Sequence, residues 1–200
     1  MIKCVFFDFD GVLRNWDYDE RRFKELYGVP IEAFREVAFA KERVGEAVRG
    51  VVTSEEWRAG VGEELKKNHN HDQVGAAIAD WNIRTGQIVP EVLEIVKACK
   101  QLLPVALMTN ATTRLPWELE QLGLVGFFDY VINASEIGYA KPEPEIYAYA
   151  LKLVGISPDE AFFTDDGLAQ SQAATDLGWV GHHFKNPDGL RRALVDAGVL

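Results

Sequence analysis

The stretch Val5-Phe6-Phe7-Asp8-Phe9-Asp10-Gly11-Val12-Leu13 decides the fold, because an apolar run ends in two carboxylates and a glycine. The apolar part predicts a buried β-strand. Side chains at positions i and i+2 of a strand share a face, so Asp8 and Asp10 are expected to point the same way. Two such acids repel each other unless a cation or a shared proton relieves them, which predicts a Mg²⁺ site or an acid/base pair. A strand that ends in a solvated turn is the alternative.

The composition is that of an acidic globular protein. Its 200 residues could form one large domain or a core with a smaller insertion, and 48% of them are hydrophobic. The formal net charge of -10 disfavours nucleic-acid binding, since no basic run is present to release counterions from phosphates. An anionic small substrate would therefore need a local positive centre, such as a metal ion, a lysine or backbone amides.

Cysteine usage and hydropathy predict a cytoplasmic protein. Cys4 and Cys99 are too few for a disulfide framework and are expected to be inert core thiols. No signal peptide is expected, because Lys3 is followed closely by the acidic strand tip. No apolar run approaches the length of a membrane span, about 20 residues. We expect no membrane or nucleic-acid partner, and either a monomer or a homodimer.

The region from residue 15 to residue 83 has apolar residues at helical spacing, which predicts an inserted helical subdomain. Thr53 and Glu56 have the spacing of a capping box, which predicts a helix start. Helices are also expected over 18–27, over 31–48 as one helix or a broken pair, and over 74–83 after a polar loop at 66–72. The predicted core domain therefore consists of residues 1–14 and 84–200.

After residue 84 short apolar segments alternate with helical ones, including a helix expected over 142–154, which predicts an α/β doubly wound parallel sheet. In such a sheet ligands bind outside the carboxyl ends of the strands. If the strands are neighbours, their tips converge on one crevice. Three predicted strands end on polar groups: Asp8 and Asp10, Thr109 and Asn110, and Asp165 and Asp166.

Four motifs occur in a fixed order along the chain: Asp-x-Asp-Gly from Asp8, a strand ending in Thr109-Asn110, Lys141-Pro142 before a helix, and a strand ending in Asp165-Asp166. This order resembles the haloacid dehalogenase-like (HAD) hydrolase superfamily over essentially the whole chain. The resemblance implies a Rossmann-like core with an inserted α-helical (C1) cap. The segment 49–57 is similar to the branch that contains bacterial sugar phosphatases and the phosphatase domain of soluble epoxide hydrolases.

The resemblance implies a Mg²⁺-dependent phosphohydrolase that acts on a small phosphorylated metabolite, with a sugar phosphate as one candidate. Asp8 would be the nucleophile that forms an aspartyl-phosphate, and Asp10 would protonate the leaving oxygen and then activate water. The implied phosphate-binding residues are Thr109, Asn110, Lys141 and Gly11. The implied metal ligands are Asp8, the Asp10 backbone carbonyl, Asp166 and, as an additional or outer ligand, Asp165.

Asp10 favours phosphoryl chemistry, because dehalogenases of the superfamily lack an aspartate at this position. A phosphomutase of the same fold and a non-catalytic phosphate- or metal-binding relative remain open. The cap residues that could face a substrate are Trp16, Tyr18, Lys41, Arg43 and Arg49, although cap core or solvated charge is the favoured interpretation for each. The chain departs from the family's pattern at Arg14, Asn15, Gly167, Gln170 and Ser171.

Overall fold

A computed structural model describes residues 1–16 and 20–200, so Tyr18 lies outside the described residues. The strands are β1 (Cys4–Phe7), β2 (Arg14–Asn15), β3 (Gln87–Ile88), β4 (Val105–Thr109), β5 (Tyr130–Asn133), β6 (Ala161–Asp165) and β7 (Val180–His183). The helices are α1 (Glu20–Tyr27), α2 (Ile31–Ala38), α3 (Lys41–Val48), α4 (Ser54–Lys66), α5 (His71–Ile83), α6 (Pro90–Lys100), α7 (Leu115–Gln121), α8 (Ala134–Ile137), α9 (Pro144–Val154), α10 (Leu168–Asp176) and α11 (Pro187–Asp196). None of these helices combines the length and the apolarity needed to cross a bilayer.

The main sheet has the strand order β5-β4-β1-β6-β7, with β1 at its centre. Every neighbouring pair is parallel, and Phe7 of β1 lies opposite Leu107 of β4 and Thr164 of β6. The chain builds β4 and β5 on one side of β1 and then crosses to β6 and β7 on the other side. The strand order therefore reverses at β1, which places a crevice at the carboxyl ends of the central strands. The predicted doubly wound α/β core is confirmed.

Alternate residues of β1 pack into two hydrophobic layers. Val5 and Phe7 face the layer that contains α6, α7 and α11, whereas Cys4 and Phe6 face the layer that contains α9 and α10. The central strand is therefore covered on both faces, which explains its continuous apolar run. Both cysteines are free and buried, and burial raises the pKa of Cys99 to about 11.

The helices α1 to α5, here called the helical insertion, lie between β2 and β3 and pack around a hydrophobic cluster of their own. Trp57 and Trp81 meet edge to face within this cluster, with ring centroids 4.8 Å apart. The predicted capping box is confirmed, since Thr53 and Glu56 exchange backbone-to-side-chain hydrogen bonds at the start of α4. The short strands β2 and β3 pair antiparallel where the chain leaves the core and returns to it.

Two predicted boundaries are wrong. The polar loop expected to end at residue 72 ends earlier, because the Asn70 side chain accepts hydrogen bonds from the backbone N–H groups of Asp72 and Gln73 and starts α5 at His71. The helix expected from residue 142 begins at Pro144. Pro144 disfavours a helical conformation for the residue before it, Glu143, which is extended. The segment 31–48 is the broken pair α2 and α3.

Candidate active site

Three neighbouring strands bring their carboxyl ends to one edge of the sheet. Asp8 follows β1 directly, Thr109 ends β4 and Asp165 ends β6, and β1 lies between the other two strands. The three residues are 7%, 2% and 1% exposed. The sheet therefore places these three residues, here called the strand-end group, together in a buried position, as their positions after apolar runs predict.

Asp10 lies in a turn rather than in the strand, so the expected alternation does not extend to it. The turn is closed by the Arg14 N–H, which donates to the Phe9 carbonyl oxygen at 2.8 Å, and it contains Gly11 at a φ of 81°. The Asp10 carboxylate accepts hydrogen bonds from Arg14 Nε at 2.7 Å, from Arg14 Nη2 at 3.0 Å and from Trp16 Nε1 at 2.7 Å. Asp10 is thus held by residues that follow it in the chain.

Lys141 lies between the strand ends, and its side chain is only 2% exposed. Its ammonium group lies 2.7 Å from Asp8 Oδ1 and donates to Asp165 Oδ2 at 2.6 Å and to the Met108 carbonyl oxygen at 3.0 Å. The Asn110 side chain accepts from the Lys141 backbone N–H and donates to its carbonyl oxygen, both at 2.8 Å. Asn110 therefore fixes the backbone from which the lysine reaches into the site.

The charges of this group are only partly balanced. Burial raises the pKa of Asp8 to about 7, while Lys141 acts in the opposite direction. Burial alone would lower the pKa of Lys141, but Asp8 and Asp165 outweigh it and hold the pKa above its ordinary value. The pKa of Asp166 is also raised, first by burial and then by Asp165. Three carboxylates thus face one ammonium group. The excess negative charge favours the binding of a further cation.

The donor set fits a hard divalent cation. Asp8, Asp165 and Asp166 each offer a carboxylate oxygen, and these atoms lie within 4.8 Å of one another. Oxygen ligands of this kind are preferred by Mg²⁺. Asp165 also binds Lys141 Nζ and accepts from the Gly167 N–H at 2.8 Å, whereas Asp166 is exposed. Asp166 is therefore the more available of the two neighbouring acids.

Gly11 allows the approach of Asp166. A Cβ atom at Gly11 would lie 2.1 Å from Asp166 Oδ2, which is far inside contact distance. The Gly11 N–H, predicted to be among the turn amides that bind phosphate, donates to the Arg14 carbonyl oxygen at 2.8 Å. The visible contribution of Gly11 is thus space for a carboxylate of the candidate metal group.

Gly167 and Gln170, where the chain departs from the family's pattern, fit each other. A Cβ at Gly167 would lie 2.1 Å from Gln170 Oε1. The Gln170 side chain therefore occupies the space that a larger residue at position 167 would need. The Gln170 carbonyl oxygen in turn accepts from the Tyr147 hydroxyl at 2.8 Å.

A cavity of about 290 Å³ lies between the helical insertion and the core. Asp10 and Asn110 line it on the core side, and Trp57, Arg58 and Trp81 line it on the side of the insertion. The cavity therefore adjoins the strand-end group. Of the predicted cap residues in the described part of the chain, Trp16 lines this cavity, Arg43 pairs with Glu64, Arg49 pairs with Glu143 and Lys41 is exposed.

Two buried residues of the site were not among the predicted site residues. Arg14 is 2% exposed and pairs with Asp10 and with Glu118, itself 5% exposed. The sequence carries one signal for Arg14, a charged residue where the family's pattern is apolar. Nothing in the sequence marks Glu118, which occupies a regular helical position in α7.

The fold and the strand-end group define a class of protein, and a sequence model of the haloacid dehalogenase-like hydrolase family matches residues 2–178. The chain belongs to this family and is a hydrolase of that class. The family predicted from the motif order is therefore confirmed.

Two relatives and one solved structure are similar along most of their length. The phosphorylated carbohydrates phosphatase of Thermotoga maritima is 29% identical, in an alignment that covers 100% of this chain and 93% of the relative. The glyceraldehyde 3-phosphate phosphatase of Methanocaldococcus jannaschii is 27% identical over 90% of this chain and 83% of the relative. The crystal structure of the HAD family enzyme BT-2542 from Bacteroides thetaiotaomicron with magnesium and inorganic phosphate has a TM-score of 0.71 and 26% identity, covering 92% of this chain and 95% of that one.

Proposed function

We propose that this protein is a Mg²⁺-dependent phosphohydrolase that cleaves a small phosphorylated metabolite, with a sugar phosphate as the leading candidate. The observation that carries the proposal is the contact between the buried Asp8 carboxylate and Lys141 Nζ, 2.7 Å apart, beside two further carboxylates. A nucleophile, a fixed positive charge and a cation site occur together there. The names of the two phosphatase relatives and the magnesium and phosphate bound to BT-2542 support the same assignment.

In the first step, Asp8 attacks the phosphorus of the bound monoester. A bond forms between a carboxylate oxygen and phosphorus, and the bond from phosphorus to the alcohol oxygen breaks. Asp10 gives a proton to that oxygen, and the alcohol leaves. Lys141 stabilises the negative charge that Asp8 and the transferring phosphoryl group share, because it is already held against Asp8 in a buried site.

In the second step, water attacks the phosphorus of the aspartyl-phosphate. Asp10 takes a proton from this water, the bond between phosphorus and Asp8 breaks, and inorganic phosphate leaves. Asp8 then returns to its starting carboxylate and Asp10 to its protonated form, so the cycle is balanced. Thr109 and the Asn110 backbone, at the neighbouring strand end, are proposed to bind phosphate oxygens, since the Asn110 side chain already bonds the Lys141 backbone.

The metal ligands proposed within the described chain are Asp8, Asp166 and the Asp10 backbone carbonyl, with Asp165 in outer contact. When bound, Mg²⁺ would neutralise negative charge on the nucleophile and the phosphate, so that the two can approach. Asp165 is assigned to the outer position because Lys141 and the Gly167 N–H already occupy its oxygens.

The helical insertion, within the predicted limits 15–83, is proposed to act as a cap over the site. Its side chains and those of the core together line the cavity next to Asp10. The part of the substrate beyond the phosphate is proposed to lie in that cavity.

We also propose a cytoplasmic location, with the two thiols kept reduced, which fractionation of cells that express the tagged protein would test.

Phosphate release from a panel of phosphorylated sugars, nucleotides and glycolytic intermediates tests the proposed function. The purified protein is expected to release phosphate from at least one ester with Mg²⁺ present and to lose this activity when EDTA removes the metal, because Asp8 then lacks charge neutralisation. Restored Mg²⁺ should restore the rate. Turnover that is unchanged in EDTA would contradict the metal requirement.

Product analysis on the same panel separates hydrolysis from isomerisation. A hydrolase yields the free alcohol and one phosphate for each ester consumed. An isomerised sugar phosphate without free phosphate would identify a phosphomutase instead. Metal-dependent thermal stabilisation without turnover on any ester would identify a binding protein.

Gly11→Ala is expected to weaken Mg²⁺ binding and turnover. Its backbone φ of 81° costs a residue with a Cβ roughly 1–2 kcal/mol. In addition, the new Cβ would lie 2.1 Å from Asp166 Oδ2 and would therefore displace the Asp166 carboxylate. Thermal unfolding would measure the first effect, and Mg²⁺ titration of phosphate release would measure the second.

Gly138→Ala provides the matched control, because Gly138 has the same φ of 81° and, apart from its two chain neighbours, no residue has an atom within 4 Å of the position of its Cβ. Both variants should lose the stability that the positive φ costs, and only Gly11→Ala should require more Mg²⁺ for half-maximal rate. Equal Mg²⁺ requirements in the two variants would contradict the assignment of Asp166 as a ligand.

A further inference from the structure

Arg14 forms a buried connection between Asp10 and the rest of the core. Its Nε and Nη2 atoms donate to the two oxygens of the Asp10 carboxylate at 2.7 Å and 3.0 Å, which is the bidentate geometry of a guanidinium on a carboxylate. Its Nη1 atom donates to Glu118 Oε2 at 2.8 Å and to the Thr85 carbonyl oxygen at 3.2 Å. Three separate parts of the chain thus hold one guanidinium group.

The charges in this connection are balanced over four residues. Glu118 Oε1 lies 3.7 Å from Arg114 Nε, so the order Asp10, Arg14, Glu118, Arg114 alternates negative and positive groups. Burial would lower the pKa of Arg14, but Asp10 and then Glu118 outweigh it and hold the pKa above its ordinary value. The guanidinium therefore stays charged in a position that is 2% exposed.

Aromatic rings restrict the guanidinium further. It lies over the Phe9 ring at 4.1 Å and over the Trp16 ring at 4.6 Å from the centroids. Trp16 also donates from Nε1 to Asp10 Oδ1 at 2.7 Å. Asp10 side-chain exposure is 45%, so the carboxylate is accessible from solvent while its direction is set from the buried side.

We propose that Arg14, anchored by Glu118, is a positioning residue that fixes the direction of the Asp10 carboxyl group, from which the proton passes to the leaving oxygen. The inference rests on the proposed phosphohydrolase function. A single carboxylate in a turn has several rotamers, and a bidentate contact from a buried guanidinium selects one of them. Thr85 lies in the segment that returns from the helical insertion, so the same guanidinium also links Asp10 to the connection of that insertion.

The test compares phenyl phosphate with p-nitrophenyl phosphate. The two esters have similar shapes, but phenol is the weaker acid, so its departure depends more on protonation by Asp10. The value of kcat/KM reports the first phosphoryl transfer for each ester. In Arg14→Lys, which keeps the charge and loses the bidentate contact, the ratio of kcat/KM for phenyl over p-nitrophenyl phosphate is expected to fall roughly 10-fold. A purely structural role would lower both values equally.

Two further variants make the result specific. Glu118→Gln keeps the side-chain shape, and this position contacts Arg14 but not Asp10. The variant should therefore lower the ratio in the same direction by a smaller factor. It replaces Arg14→Lys as the test if Arg14→Lys does not fold. Asp10→Asn should lower the ratio strongly, and adding Arg14→Lys to it should lower the ratio no further, because the two residues act through one proton transfer.

Arg84→Lys is the matched control, since Arg84 pairs with Asp80 and precedes Thr85, and no hydrogen bond or ion pair joins it to Asp10 in the described part of the chain. Its ratio should equal that of the parent. An unchanged ratio in both Arg14→Lys and Glu118→Gln, with the parent active, would overturn the inference and leave the proposed function standing. If the parent hydrolyses neither these esters nor the metabolite panel, the proposed function fails and the inference fails with it.

Discussion

Asp8→Asn is expected to reduce phosphate release by roughly 1,000-fold or more, because an amide cannot form the phosphoryl-enzyme bond. Asn has nearly the shape of Asp, so the variant removes the nucleophile while it preserves packing at the end of β1. Lys141 keeps its contacts with Asp165 and with the Met108 carbonyl oxygen in this variant, so its charge stays paired. We therefore expect a folded protein without turnover.

Two measurements check this expectation. Kinetics on p-nitrophenyl phosphate with Mg²⁺ give the loss of rate, and mass spectrometry after acid quenching shows whether one phosphoryl group is attached to the peptide that contains Asp8. The parent should carry this group during turnover, and Asp8→Asn should not. Asp176→Asn, at an exposed position in α10, is the control and should match the parent in both measurements. Parent-like turnover in correctly folded Asp8→Asn would falsify the nucleophile assignment.

The arrangement of strand ends follows from local features of the sequence. A buried parallel strand needs a continuous apolar run, and the first polar residue after the run marks its carboxyl end. Asp8, Thr109 and Asp165 were recognisable for this reason. The parallel sheet then brings these ends to one edge. The prediction of one shared crevice depended on these strands being neighbours, and the order β4-β1-β6 within the sheet meets that condition.

The side-chain connections within the site do not follow from such local features. Arg14 and Glu118 lie 104 positions apart, and their pairing depends on how α7 packs beside the turn after β1. The alternation of side chains between two faces holds only within a strand. It could not predict the direction of the Asp10 side chain, because Asp10 lies in a turn that contains Gly11 at a positive φ. The cavity likewise depends on how the helical insertion packs against the core. The spacing of apolar residues within the insertion or within the core does not specify that packing.

Lys141→Met is expected to lower both stability and turnover. The ammonium group lies between Asp8 and Asp165, at 2.7 Å and 2.6 Å, in a position where its side chain is 2% exposed. Removing one partner of a buried ion pair leaves charge uncompensated, which typically costs about 3–5 kcal/mol. Turnover should fall roughly 100-fold or more, because the fixed charge that stabilises the transferring phosphoryl group is lost. Urea unfolding and kcat/KM would measure the two effects.

A second substitution separates stability from chemistry in this variant. Asp165→Asn, added to Lys141→Met, removes one of the two unpaired carboxylates and should restore part of the lost free energy of unfolding, while turnover stays low because no cation replaces the lysine. Lys100→Met is the control: Lys100 pairs with Asp129 at 2.9 Å with 30% of its side chain exposed, so its loss should cost less than about 1 kcal/mol and leave turnover unchanged. If Lys141→Met resembles Lys100→Met in both measurements, Lys141 neither balances the buried carboxylates nor assists phosphoryl transfer, and the charge arrangement proposed for the site is wrong.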